Sequence, residues 1–435
     1  MPLPVADRSG RSTTASSKSS DPAPALRVAL VFSWLGNGGV ERMMLRLADG
    51  LIARGFAVDL VVGEAKGELL AEASTKARIV ELNKVSAWQS VAHALVAESA
   101  ARRLALRFEF RPLKRLLRRL PPLVRYFRAV APNAILAAEP RYNAMAVWAR
   151  RLSGLDSRVV ISERIEASNH EDSFNLWIDK QMLPLLRAAY LKANAIVAVS
   201  DGVADDLATH AGIPRDRITT VYNPVVGPDL LIKAQEPLGH PWFAPGEPPV
   251  ILAAGRLHPQ KDFPTLIRVF AQLRAQRPAR LVILGTGAPA ESEYAAGLNA
   301  LAAELGVAHD VDMPGYTYNP FAYMSRAAVF VLSSRYEGLG NVLIEALACG
   351  TPVVSTDCPS GPREILDHGR FGPLVPVGDV DAMAGAIGKT IDNPPPPEHL
   401  RARAQLFSVE RSADAYLELL LPTQQDIRLA GGRQS

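Results

Sequence analysis

The sequence predicts an α/β protein of two domains, each a parallel sheet flanked by helices. Three observations carry that expectation. The chain has 435 residues, too many for one ordinary hydrophobic core. Short apolar runs of strand length alternate with stretches of helical periodicity, the pattern of βα units. In both halves a strand-like run feeds a glycine turn that opens a helix. The first half uses Gly36, Gly38 and Gly39, and the second uses Gly338 and Gly340.

Bulk composition narrows the class. Hydrophobic residues make up 48% and charged residues 21%, as in soluble globular proteins. The formal net charge is only +4, so the total charge does not point to nucleic acid. Cys349 and Cys358 are the only cysteines. They form no CxxC or His/Cys cluster, so neither a disulfide framework nor a zinc site is expected, and a reducing cytosol fits. No apolar run approaches the ~18 residues of a membrane-spanning helix.

Residues 1–25 are rich in Ser, Thr and Pro. They lack the apolar core of a signal peptide and read as a disordered tail. The first domain is expected over 26–230. Leu26 to Phe32 is its first strand, Val40 to Ala53 its first helix, and Ala57 to Val62 its second strand. The glycine loop between them lacks the third glycine of a dinucleotide fingerprint. Glu64, after the second strand, is what a nicotinamide reading would rest on. Asn133 to Ala138 and Arg158 to Ser162 are further strands, with Arg141 to Leu152 the helix between them. Glu163 and Arg164 follow at a strand's C-terminal end, where open α/β sheets place ligands. Ala195 to Val199 is another strand, and Ser200 or Asp201 caps the helix Val203 to His210. Ile218 to Tyr222 closes the domain, and Val226 to Pro249 is the linker.

Ala101 to Arg128 holds ten Lys/Arg and one acid, Glu109, among leucines and phenylalanines. Pro112 and Pro121-Pro122 break any single long helix there. A basic face bearing Leu104, Leu106, Phe108, Leu116 and Leu117 suits an anionic membrane surface, with Arg111, Lys114, Arg115, Arg118 and Arg119 as contacts. No nucleic-acid module is present. The membrane reading places the protein on the inner face of the cytoplasmic membrane.

The second domain is expected over 248–395. Its first strand starts at Val250 and leads to a loop carrying Arg256 and Lys261, cations suited to a diphosphate. Leu281 to Leu284 ends in Gly285, a strand-end position near a bound base. Asp310/Asp312 and Asp379/Asp381 are Asp-x-Asp strings. The first lies at a strand start and the second reads as a helix cap, so no metal site is expected. Asn393 to Pro397 is a proline linker.

The stretch Ser333 to Leu366 carries the strongest signal. A buried strand ends near Leu332, the turn Glu337-Gly338-Leu339-Gly340 follows, and Asn341 to Cys349 is a helix. Its first amides, Asn341, Val342 and Leu343, suit phosphate. Glu337 and Glu345 flank that anion site. Carboxylates suit neutral hydroxyls rather than phosphate oxygens. Phosphates between two polyols describe a sugar nucleotide.

This stretch resembles the signature of the retaining family 4 glycosyltransferases of GT-B fold, whose two glutamates stand eight positions apart. Gly255-Arg256 to Lys261 resembles the same family's phosphate-binding motif. The resemblance covers about Leu26 to Leu421. It implies two Rossmann-like domains facing a cleft, with a helix over 408–421 crossing back to the first domain. It implies a nucleotide sugar as substrate, a UDP-sugar fitting best, and a glycan or lipid-linked acceptor. No cofactor and no metal are expected. Arg256 and Lys261 would bind the donor phosphates and support departure of the diphosphate. Glu337 would orient the sugar, Glu345 the ribose, and the Gly36–Gly39 loop would approach the diphosphate across the cleft. Glu163 and Arg164 would face the acceptor. In many members a histidine of the first domain contacts the donor sugar; here Ala137, Ala138 and Glu139 stand where that group is expected. Two rival readings are a non-catalytic nucleotide-sugar-binding protein on this fold and a nicotinamide-dependent oxidoreductase.

Overall fold

The structure is a computed structural model. It describes residues 25–421, apart from 37, 74, 76, 87–88, 91–92, 94–95, 97–116, 167, 169–175 and 286–291. The first domain holds strands β1 (Arg27–Trp34), β2 (Ala57–Glu64), β3 (Arg78–Glu81), β4 (Ala134–Ala138), β5 (Arg158–Glu163), β6 (Ala195–Ala198) and β7 (Ile218–Thr220). They form one parallel sheet in the order β3-β2-β1-β4-β5-β6-β7. Its helices are α1 (Gly39–Ile52), α2 (Leu120–Val130), α3 (Pro140–Ser153), α4 (Leu176–Tyr190) and α5 (Asp201–Ala211).

The second domain repeats the plan. Strands β8 (Val250–Ala254), β9 (Arg280–Leu284), β10 (Val311–Gly315), β11 (Val329–Leu332), β12 (Val353–Thr356) and β13 (Leu374–Val375) are parallel in the order β10-β9-β8-β11-β12-β13. Helix α6 (Pro228–Ala234) precedes them. Helices α7 (Phe263–Arg274), α8 (Ser292–Glu304), α9 (Pro320–Met324), α10 (Asn341–Cys349), α11 (Pro362–Ile365), α12 (Val380–Asp392), α13 (Pro397–Ala404) and α14 (Val409–Leu420) complete the described chain. Strands such as β4 and β8 are buried along their whole length. Helices cover both faces, so near-continuous apolar runs are what the sequence shows.

The last helix does cross back. Tyr416 of α14 is buried in the first domain, with its hydroxyl 3.2 Å from Ser162 Oγ. Arg158 donates to the Leu419 carbonyl at 3.0 Å, and Arg54 pairs with Asp414 at 2.6 Å.

The structure refines several of these expectations. The linker is not loop throughout, because α6 forms in it and packs on α9 and α10. Pro121 and Pro122 sit in the first turn of α2, where a missing N–H costs nothing, so they start a helix. Asn393–Pro397 leads directly into α13, which packs on α10. β3 and β13 are strands that apolar runs did not mark. Of the basic segment, Leu117 is buried in the core. Arg118 donates to the Val85 carbonyl at 2.6 Å. Arg119 donates to the Gly63 carbonyl at 2.9 Å and pairs with Glu64 at 2.6 Å. Those three therefore serve the fold, not a membrane face. Arg111, Lys114, Arg115 and the rest of Ala101 to Leu116 lie outside the described residues.

Candidate functional site

The site lies between the C-terminal ends of the two sheets. Helix α10 starts at Gly340, whose φ of 95° is left-handed. That conformation costs an ordinary residue about 1–2 kcal/mol. The bend brings the first amides of α10 toward the first domain. Gly338 makes the approach close: a side chain there would collide with the Arg164 carbonyl. The Gly338 carbonyl accepts from Ser200 Oγ at 2.7 Å. Asn341 accepts from Asn223 at 2.9 Å, and Asn223 accepts from Arg164 at 2.8 Å.

The first glycine turn faces α10 directly. A Cβ on Gly39 would lie 3.7 Å from Asn341 Nδ2. Two helix N-termini, α1 and α10, thus converge on one space. Each brings unpaired amides and the positive end of a dipole. The Leu343 amide already donates to the Gly340 carbonyl at 2.9 Å. The amides expected to serve a phosphate are then those of Asn341 and Val342.

Arg256 lies exposed on the loop after β8. Lys261, five residues on within a 3-10 turn, pairs with Glu337 at 2.5 Å. Glu337 is only 6% exposed and also accepts from Ser334 Oγ at 2.6 Å. Glu345, in the middle of α10, is buried as well. Its nearest cation is Arg46 of α1, at 3.8 Å across the domain boundary, and burial raises its pKa. Gly285 follows β9, and its amide is committed to the Gly315 carbonyl at 2.9 Å.

Other expectations meet a different geometry. Glu163 is 4% exposed. It accepts from Asn143 at 2.8 Å and from the Tyr190 hydroxyl, and burial pushes its pKa up to about 7. Its carboxyl points into the domain, so of the pair only Arg164 reaches the cleft. Glu64 holds Lys66, Lys84 and Arg119, and these hydrogen bonds lower its pKa to about 2. It is engaged with protein cations rather than offered to a ribose. Asp379 caps α12 by accepting from the Ala382 amide at 2.9 Å. Asp310 takes Arg274 at 2.7 Å and also Arg280, and Asp312 takes His240 at 2.9 Å.

Two first-domain residues that sequence reasoning gave no site role, Trp34 and Glu41, stand beside the cleft, together with Glu139, which occupies the place where the resemblance expects a donor-sugar contact. Trp34 ends β1 and is 42% exposed. Glu41, in the first turn of α1, is buried, and its pKa is raised chiefly by that burial. Glu139 follows β4 with a φ of 76° and accepts from Ser33 Oγ at 2.8 Å. Its Oε2 is buried without a partner among the described residues, and burial lifts its pKa to about 7. The signal for Glu139 in the sequence was its place directly after a strand.

Two parallel-sheet domains whose strand ends face a common cleft, with a last helix returning to the first domain, define a GT-B protein. The family description "Glycosyl transferases group 1" matches residues 235–407, and "Glycosyltransferase Family 4" matches residues 37–226. The chain belongs to the family 4 glycosyltransferases. It is 34% identical over 245 residues to a Campylobacter jejuni protein, covering 56% of this chain and 62% of that one. That relative is named as an N-acetylgalactosamine-N,N'-diacetylbacillosaminyl-diphospho-undecaprenol 4-alpha-N-acetylgalactosaminyltransferase. It is 36% identical over 181 residues to a lipopolysaccharide core biosynthesis glycosyltransferase, LpsE, of Rhizobium meliloti, covering 40% and 51%. The chain thus spans between half and two thirds of these relatives' length. Among solved structures, Anabaena HepE in complex with UDP matches with a TM-score of 0.68 at 18% identity, covering 91% of this chain and 99% of that one. The galactosyltransferase WaaB in its apo form matches at 0.65 and 18%, with the same coverage. Likeness at this identity concerns the fold.

Proposed function

We propose that this protein moves a sugar from a nucleoside-diphosphate sugar to a glycan or lipid-linked acceptor, retaining the anomeric configuration. The observation that carries this reading is the convergence of the α1 and α10 N-termini on the space edged by Arg256 and the Lys261–Glu337 pair. Amides and fixed cations there would stabilise the charge that develops on a leaving diphosphate. Glu337 and Glu345 stand on either side, one for the sugar and one for the ribose. No protein nucleophile is assigned. The leaving phosphate takes the acceptor's proton as the new bond forms on the same face. The cationic cradle does this without a divalent ion.

The relatives support the acceptor class. The Campylobacter protein is named for a diphospho-undecaprenol acceptor and the Rhizobium protein for lipopolysaccharide core. The crystal of HepE with UDP favours UDP as the nucleotide. A lipid-linked acceptor would place the enzyme on the inner face of the cytoplasmic membrane, docked through Arg111, Lys114 and Arg115. Among the described residues no helix is long and apolar enough to cross a membrane. The oxidoreductase reading loses Glu64, its one support. Intact Arg256, Lys261, Glu337 and Glu345 weigh against a non-catalytic binder.

A thermal-shift screen of UDP-, GDP- and ADP-sugars in EDTA tests the reading. A rise in Tm with one donor class is expected. A rise that appears only after Mn²⁺ is added would contradict the metal-independent cradle. Silence across all donors would contradict the donor class.

A further inference from the structure

We propose that Glu41 is the resident anion of the diphosphate site, filling the first glycine turn in the ligand-free protein and giving way to the donor's diphosphate. This rests on the diphosphate reading above and adds a residue that specifically opposes nucleotide retention.

The geometry is unusual for a glutamate in a first helical turn. Such residues gain from the dipole while remaining in water. Glu41 is only 6% exposed. Its carboxylate folds back against Gly38, so closely that any Cβ on Gly38 would strike it. It accepts from its own backbone N–H and from the indole N–H of Trp34. Arg164 of the first domain and Arg256 of the second both act on it electrostatically. Burying a carboxylate costs several kcal/mol unless charge and hydrogen bonds compensate. Here the compensation comes from the same cation and the same glycine turn that the donor's phosphates would use.

A diphosphate cannot simply be added to this arrangement. Glu139 is already within electrostatic reach of Glu41. A third anionic group would face two carboxylates in a space of low effective dielectric. Glu41 therefore leaves when the diphosphate enters. Its three side-chain torsions allow this. When the sugar has been transferred, the returning carboxylate competes with the nucleoside diphosphate for Arg256 and helps to expel it.

Calorimetry with UDP and GDP, and with uridine and guanosine as uncharged controls, tests this on wild type, Glu41→Gln and Glu41→Ala. Both variants should bind the preferred nucleoside diphosphate more tightly, by roughly tenfold, because no resident carboxylate has to be displaced from Arg256. Dissociation in stopped flow should slow by a similar factor. The nucleosides should bind unchanged. Unchanged or weaker diphosphate binding in both variants, with wild-type binding still dependent on Arg256, would overturn the role of Glu41 alone. An equal gain for the nucleosides would overturn it too, since charge would not be the cause. If neither UDP nor GDP binds the wild type or the variants, the diphosphate reading itself fails and this inference with it.

Discussion

Lys261 and Glu337 are each other's partner in the ligand-free cleft, 2.5 Å apart and both largely buried. Sequence reasoning assigned them to different parts of one ligand, the cation to phosphate and the carboxylate to sugar. The pair holds each group in place before any ligand arrives, so neither has to be ordered on binding.

The pairing predicts how the single variants fail. Lys261→Ala should lose turnover and also stability, since it leaves Glu337 as an uncompensated buried charge. Breaking such a pair from one side costs about 3–5 kcal/mol. Adding Glu337→Gln to Lys261→Ala should recover much of the stability and none of the activity. Urea denaturation of the single and double variants checks this; equal stabilities would show that the pair is not coupled.

The two glutamates should separate in calorimetry. Glu345→Gln is expected to weaken both UDP and a UDP-sugar, because its proposed partner is the ribose. Glu337→Gln should spare UDP and impair the UDP-sugar. Equal losses for both ligands in both variants would contradict the assignment.

Glu163 gives a dependence on pH. Its folded-state pKa is raised from 4.5 to about 7 by burial. The folded protein therefore holds this proton more tightly than the unfolded chain does. Stability from this group is full below about pH 4.5 and is lost as pH rises through about 7, on the order of 3 kcal/mol in all. Glu163→Gln should flatten that fall between pH 5 and 8. Urea unfolding across this range checks it, and an unchanged slope would contradict it.

Much of this was legible from residues alone. The run Asn341 to Cys349 appears as the helix its glycine boundaries mark, and most strand centres fall on the apolar runs. What escaped has physical reasons. β3 is a four-residue edge strand with a charge at each end, so no apolar run announces it. α13 follows a proline run and carries four charged or polar residues in eight, so composition suggested linker. Glu163 follows its strand as a ligand-binding residue would, yet Tyr190 and Asn143, distant in sequence, turn it inward. Glu41 sits where a helix dipole alone accounts for an acid. Only the fold shows that Arg256, more than two hundred residues away, faces it.

The membrane proposal now has a sharper test. Arg119 cannot be used, since it anchors Glu64 and would unsettle the fold. Replacing Arg111, Lys114 and Arg115 by Glu should release the protein from anionic vesicles, at about 1 kcal/mol for each cation removed. Donor binding should be intact, and high salt should mimic the change. A wild type that ignores anionic vesicles at low salt would favour a soluble acceptor.

The central claim is that Arg256 and its surroundings stabilise a departing nucleoside diphosphate. Its most direct test is nucleoside-diphosphate release from the preferred nucleotide sugar, compared between wild type and Arg256→Ala at saturating donor. Wild type should release UDP or GDP. The variant should do so more slowly by roughly 10²–10³, the effect of removing one preorganised stabiliser. Equal release by the two proteins would contradict the claim.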